Sequence, residues 1–181
     1  MDDIVRQAMA KWPNVPDCYG WLGLDSRGQW WMRDDKAQAL GSFQSGQPGA
    51  KGSVLRHEKL IEFIQRNYEA DERGCWYFQN GPQRVYVELE VTPYIWVLSD
   101  KYEVSTHIGS VVKADSCLMD EAGRVYLSTA QGLGLVHSLD VARVANALDM
   151  NLWPLQECVS GELPKLYGYV ISPQEAHLSP K

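Results

Sequence analysis

Apolar residues recur at helical spacing in three stretches of the chain. Ile4, Val5, Ala8, Met9 and Trp12 share one face of a helix over residues 2–12, with Asp2 and Asp3 at its positive end and Pro13 closing it. His57, Leu60, Ile61, Ile64 and Tyr68 line a second helix over 54–69, with Ser53 as its cap. Val141, Val144, Ala145 and Leu148 line a third, capped by Ser138 or Asp140. Elsewhere the period falls to two. Val85, Val87, Leu89 and Val91 alternate with Arg84, Tyr86, Glu88 and Glu90, the pattern of a strand with one buried face. Further strands are predicted over 19–25, 29–33, 75–79, 94–98, 102–108, 124–129 and 134–137, with Asn80-Gly81-Pro82 as a hairpin turn. A late strand over 167–171 precedes a loose tail, and the glycines and serines of 41–53 predict a mobile loop in which Phe43 and Lys51 are the contact residues.

One short phrase occurs three times: an aspartate, a glycine three residues on, one variable residue, then two strand-forming residues. It runs Asp25 to Trp31, Asp71 to Tyr77 and Asp120 to Tyr126, at spacings of 46 and 49 residues. Asp bonds readily to nearby backbone and Gly supplies positive φ, so each phrase reads as a tight turn opening a strand. Near-equal spacing points to a repeated hairpin unit. The predicted fold is therefore α+β: antiparallel sheets from repeated β-hairpins, about three helices and an internal duplication. The halves are assigned to residues 1–100 and 101–181, forming one compact unit, with the boundary near 99–112.

Strand alternation sorts the repeated residues by face. Trp30, Met32, Trp76, Phe78, Val125 and Leu127 form the core face. Trp31 with Arg33, Tyr77 with Gln79, and Tyr126 with Ser128 form the other, an aromatic followed by a polar residue each time. Two readings stand. In one, these aromatics cover the outer side of a twisted sheet. In the other, they are a stacking platform for a planar ligand, with Arg33 or Arg84 meeting an anion. The second makes Trp31, Arg33, Tyr77, Arg84, Tyr86, Glu88 and Tyr126 the candidate ligand-binding residues.

Composition narrows the classes of function. The 181 residues are 45% hydrophobic and 22% charged, with seven tryptophans and nine tyrosines, so an aromatic-rich core or a surface for flat groups is expected. A net charge of −6 disfavours nucleic acid and anionic membranes as partners. Cys18, Cys75, Cys117 and Cys158 form no close pair, so neither a zinc knuckle nor any other metal site is expected, and they read as small apolar residues of a reducing compartment. An acidic N-terminus without a signal-peptide profile, and the lack of a bilayer-length apolar run, make the cytoplasm the expected location.

Catalytic phrases are sparse. His57 and Glu58 are adjacent, and Glu88 and Glu90 share a strand face, but adjacent helix residues point about 100° apart and a solvated face explains paired glutamates. No Gly-x-Ser-x-Gly, P-loop or dinucleotide phrase is present. No catalytic residue and no cofactor is assigned, and an enzyme built on His57, Glu58, Arg84 or Glu88 ranks third among the functional readings.

The run from Tyr19 to Asp25, the stretch from Arg56 to Tyr68 and, most specifically, the hairpin from Gln79 to Glu90 resemble an uncharacterised bacterial family known only as a domain of unknown function. The resemblance covers residues 1–150. More distantly, the Gly-x-Trp strand pair and Glu90-Val-Thr-Pro93-Tyr94 resemble a second uncharacterised bacterial family. That likeness implies a duplicated core of pleckstrin-homology-like character and a ligand site between its halves linked to signal transduction, although this chain departs from it in the 41–53 loop. The leading expectation is a non-enzymatic module binding a small planar or anionic ligand in a groove between two related halves. The alternative is an adaptor that engages a protein partner through a sheet edge or the aromatic strand face.

Overall fold

The computed structural model describes residues 1–179 of the protein. In chain order, α1 (Asp3–Lys11) leads into β1 (Cys18–Leu24) and β2 (Trp30–Met32), followed by α2 (Asp35–Ala39), β3 (Ser53–Val54), α3 (Glu58–Arg66) and β4 (Tyr68–Ala70). Then come β5 (Trp76–Asn80), β6 (Gln83–Leu89), β7 (Tyr94–Leu98), β8 (Val104–Thr106), β9 (Val111–Val112), β10 (Ala114–Met119), β11 (Val125–Thr129) and β12 (Gly132–Val136). The chain continues through α4 (Val141–Asp149), β13 (Leu155–Glu157), α5 (Leu163–Tyr167) and α6 (Pro173–Leu178).

Two compact units result. The first holds Met1–Asp25, Gln29–Glu90 and Tyr169–Lys181; the second holds Ser26–Gly28 and Val91–Gly168. The division falls at Glu90 rather than near 99–112, because β7 hydrogen-bonds into the second sheet, and the C-terminal segment returns to the first unit. The first sheet has the order β3-β2-β1-β6-β5-β4, and the second β13-β10-β11-β12-β7-β8-β9. Apart from β13 these are one topology written twice: β1 to β3 correspond to β7 to β9, and β4 to β6 to β10 to β12. The sheets are mixed rather than purely antiparallel. Each joins its two antiparallel halves through a central parallel pair, β1 with β6 and β12 with β7, and β13 adds a parallel edge on β10. A period of two identifies strands but carries no information on the direction of a non-consecutive neighbour.

The repeated phrase is a single turn geometry. At Asp25, Asp71 and Asp120 the aspartate N–H donates to the carbonyl four residues on, at 3.0, 2.9 and 3.0 Å. The N–H of that same residue donates back to the aspartate Oδ1 at 2.9 Å in all three. Two further turns of the same kind use a hydroxyl instead: Glu103 N–H donates to Ser99 Oγ, and Ser110 N–H to Thr106 Oγ1. The fourth residue of all five turns has positive φ. It is Gly28, Gly74, Gly123 and Gly109 in four of them and Tyr102, at +62°, in the fifth.

Burial differs from the one-sided pattern read from the sequence. Tyr86, Val87, Glu88 and Leu89 are all buried, so this stretch of β6 is covered on both faces. Part of the cover is the segment expected to be a loose tail: Leu89 N–H donates to Ile171 O, Gln174 N–H to Glu88 Oε1, and α6 packs on β6 and β1. No strand forms over 167–171; α5 ends at Tyr167 with Gly168 in the left-handed conformation as its cap. The loop over 41–53, expected to be mobile, is anchored by the buried Phe43 and Ala50, while Ser45 to Gly49 between them are exposed. Phe43 is fully buried against Gly23, where a Cβ would come within 2.5 Å of its ring, and Arg33 holds the loop carbonyls. His57, expected on the apolar face of the second helix, is instead its exposed cap, with Nδ1 accepting from Leu60 N–H. Ser53 lies in β3, and Ile4 points to solvent while Val5 is buried.

Tyr102 carries the cost of a left-handed conformation that the other four turns assign to glycine. Tyr102→Gly is expected to raise stability by up to about 1 kcal/mol, the left-handed penalty less the backbone entropy of glycine. Urea unfolding measures this, and a loss of stability would show that the Tyr102 ring contributes more than its backbone costs.

Candidate functional site

The hairpin of β5 and β6 places Tyr77 opposite Tyr86 and Gln79 opposite Arg84, so these four residues share one face of the first sheet. β1 lies beside β6 with Cys18 level with Val85, which brings Asp17 next to Arg84. Asp17 and Arg84 are common to two clefts. One, of about 590 Å³, is bounded by Asp71, Glu72, Arg73, Tyr77 and Tyr86. The other, of about 560 Å³, is bounded by Met9, Trp12, Pro13, Pro16, Gln79 and Pro82. Both volumes are in the range of small-molecule sites, roughly 300–1,000 Å³.

The first cleft is organised by the second turn. Asp71 Oδ2 accepts from the Tyr86 hydroxyl at 3.0 Å and from Arg73 at 2.9 Å, and Arg73 also reaches the Tyr86 hydroxyl. Burial alone would raise the Asp71 pKa, but the Cys75 N–H, the Arg73 guanidinium and the Tyr86 hydroxyl outweigh it and leave the carboxylate more acidic than usual. Burial, with hydrogen bonding to Asp71, pushes the Tyr86 phenol up to about 12. Tyr77 is raised by burial and by donating to Glu69 at 2.8 Å. Tyr86 also stacks on Tyr19 with ring centroids 4.5 Å apart, and Tyr19 stacks on His177 of α6 at 4.2 Å.

Arg84 is arranged differently. Its guanidinium lies over the Tyr77 ring, 4.8 Å from the centroid, within hydrogen-bonding reach of the Tyr86 hydroxyl and near the charge of Asp17, but among the described residues no carboxylate forms an ion pair with it. Gln79 beside it is 1% exposed. Its Nε2 donates to Gly81 O at 3.0 Å, while its Oε1 has no donor among the described residues.

Of the seven candidates from the sequence, Tyr77, Arg84 and Tyr86 are thus brought together. Trp31 stands apart, its Nε1 donating to Asp25 Oδ2 and its ring beside Lys51 and Phe43 in a separate cleft. Arg33 is 1% exposed and donates to Ala50 O, Gly20 O and Gly41 O, so it ties the 41–53 loop to β1 and meets no solvent anion. Glu88 is buried, its carboxylate satisfied by Gln174 N–H and Gln44; burial raises its pKa against those bonds and the charge of Arg33. Tyr126 is buried in the second unit and donates to Asp120 Oδ2 at 2.8 Å. The indole of Trp31 and the phenols of Tyr86 and Tyr126 therefore serve the turn aspartates, while Tyr77 donates to Glu69. Cleft residues outside those seven candidates include Asp17, Asp71, Arg73, Gln79 and Trp12. Asp71 was visible as a turn residue, but its second oxygen collects Tyr86 from the neighbouring strand, which spacing along one strand does not reveal.

Among the described residues no group of three or more His, Cys, Asp or Glu side chains is placed to hold a metal ion, and no helix is long and apolar enough to cross a membrane. Fold and site together define an α+β protein with two sheets of matching topology and a cleft on the first. Residues 1–174 match the family model DUF2944, described as "Protein of unknown function (DUF2946)", and the chain belongs to that family of unknown function. Among solved structures it is similar to a DUF1285 family protein from Silicibacter pomeroyi DSS-3, with 13% identity over 81% of this chain and 84% of that one and a TM-score of 0.47. It is also similar to a DUF1285 family protein from Shewanella baltica OS155, with 15% identity over 70% of this chain and 91% of that one and a TM-score of 0.45. No curated protein matches the chain.

Asp120 repeats the electrostatics of Asp71: burial would raise its pKa, but Tyr126, Arg124 and Ala122 donate to it and hold it low. A carboxylate more acidic folded than unfolded adds stability that is complete above the unfolded value, about 3.9, and is lost as pH falls through the folded one. Unfolding free energy should therefore decline below about pH 4.5. The decline should be shallower in a variant carrying Asp71→Asn and Asp120→Asn, which keeps an acceptor oxygen in each turn without the charge. Urea titrations between pH 3 and 7 measure this; an unchanged slope would place the acid sensitivity elsewhere.

Proposed function

We propose that the chain is a non-enzymatic binding module that takes a small anionic ligand with a planar part at Arg84 in the first unit. The observation that carries this reading is the Arg84 guanidinium, unpaired with any carboxylate among the described residues, backed by Tyr77 and standing at the junction of two clefts. Such a guanidinium offers in-plane donors to an anion while its face is already satisfied. Binding is favoured over acid–base catalysis by the titration of the cleft. Asp71 is held more acidic than usual, and Tyr77 and Tyr86 are held protonated as donors to carboxylates, so none of these three is poised near neutral pH.

A thermal-shift and calorimetric panel of aromatic carboxylates, nucleoside monophosphates and inorganic phosphate tests the reading. At a hundredfold excess over Kd a ligand of the native state adds about 2.7 kcal/mol of stability. At least one planar anion is expected to bind, and Arg84→Gln to abolish its binding while the variant still unfolds in one cooperative transition. A panel with no binder, or a binder indifferent to Arg84→Gln, overturns it.

A second reading, the strand-edge adaptor, draws support from β13. It is the last strand of its sheet, all three of its residues are exposed, and Leu155 is half exposed. Cys117 N–H donates to Pro154 O and Cys158 N–H to Met119 O, so by alternation the backbone of Leu155 and Glu157 faces the open edge. A photocrosslinker at residue 156 should then capture one partner in the native cell, and Leu155→Pro should remove that crosslink by deleting an outward donor. A crosslink that survives Leu155→Pro rules out pairing at this edge.

A further inference from the structure

Resting on the Arg84 reading, we infer that the ligand is an N-acylated α-amino acid carboxylate with an apolar, preferably aromatic, side chain, met as a free small molecule or as the C-terminus of a peptide. Three features of the clefts ask for the three parts of that molecule.

The charge comes first. Arg84 presents a planar fork suited to a carboxylate, but Asp17, Asp71 and Glu72 line the same cleft, and its one other cation, Arg73, is already paired with Asp71. This acidic surround disfavours a phosphate dianion more strongly than a single carboxylate charge, because like-charge repulsion scales with the ligand's charge. A monoanion fits.

The donor comes second. Gln79 lies directly across the hairpin from Arg84, with its Nε2 committed to Gly81 O and its Oε1 without a donor. A buried acceptor without a donor destabilises the free cleft, and a ligand N–H recovers that cost, about 10-fold in affinity. The bond from Nε2 to Gly81 O holds the carboxamide plane, and a small adjustment of its soft outermost torsion lets Oε1 meet an incoming donor while that bond is kept. Directly opposed strand residues have Cβ atoms about 5 Å apart. Both residues line the second cleft, so one ligand there meets both with an N–H and a carboxylate, and in an N-acyl amino acid only the α-carbon separates these two groups. The apolar part comes third: beyond Gln79 the wall is Met9, Trp12, Pro13 and Pro16, and the Trp12 indole is half exposed.

Calorimetry with N-acetyl-L-phenylalanine and three close analogues tests each part on the wild-type protein. N-acetyl-L-phenylalanine is expected to bind. The carboxamide, which lacks the charge, and N-acetyl-N-methylphenylalanine and 3-phenylpropionate, which lack the N–H, should each bind about 10-fold more weakly. In Gln79→Met the penalty for N-methylation should vanish, and in Arg84→Gln all binding should be lost, with melting temperatures confirming that both variants fold. A tetrapeptide ending in phenylalanine separates the sources: about 10-fold tighter binding than N-acetyl-L-phenylalanine assigns the peptide C-terminus, and equal binding assigns the free small molecule. If N-methylation or loss of the amide costs nothing in the wild type, the assignment is overturned while the Arg84 reading stands. If N-acetyl-L-phenylalanine fails but a nucleoside monophosphate binds through Arg84, only this inference falls. If no anion binds, the Arg84 reading falls with it.

Discussion

Five hairpins of this fold reverse where one side-chain oxygen accepts the backbone N–H four residues ahead, while the first residue's own N–H bonds to the carbonyl of that same residue. The pair of bonds closes the loop at a fixed length, and a residue of positive φ at the fourth position turns the chain back. Loop length sets register, and register decides which side chains share a face. The fold and the candidate site depend on the same carboxylate. Asp71 Oδ1 fixes the turn between β4 and β5, and its Oδ2 gathers Tyr86 and Arg73 into one wall of the cleft.

The two sheets repeat one strand order but not one chemistry. In the first, the face shared by β5 and β6 carries Tyr77, Gln79, Arg84 and Tyr86. The matching positions of β11 and β12 are Tyr126, Ser128, Leu133 and Leu135. Leu133 is fully buried where the first sheet has its guanidinium. One copy of the face thus closed as core, and the other kept a cation and an unsatisfied amide beside open clefts. The cost of an unpartnered buried acceptor is tolerated more readily where a ligand relieves it.

Charged residues on strands served two opposite purposes here. Arg33 and Arg84 occupy comparable places in the sequence pattern, each beside an aromatic on the polar face. Arg33 is spent on three backbone carbonyls and secures the 41–53 loop, and Glu88 is spent on the C-terminal segment. Buried charges of this kind are satisfied by hydrogen bonds to the chain that covers them. Arg84 has no covering segment of that sort, and its cation remains turned to the clefts.

Local physics made much of the architecture legible in the amino-acid sequence. Asp and Gly at fixed offsets marked three of the five turns, since side-chain capping and positive φ are properties of a few consecutive residues. Period-two runs located β1, β2, β5, β6, β7, β11 and β12, and the grouping of Tyr77, Arg84 and Tyr86 followed from pairing across a hairpin only two residues long. The turns at Ser99 and Thr106 were hidden because a hydroxyl replaces the carboxylate and, in one, a tyrosine replaces the glycine. Non-local contacts decided the rest. The parallel pairs join strands far apart in sequence, and the burial of Glu88, Arg33 and Phe43 depends on segments up to 86 residues away, as in the bond from Gln174 to Glu88. Whether a charged strand residue becomes a structural tie or a free binding group is set by which distant segment lands on it, and no periodicity along the chain encodes that.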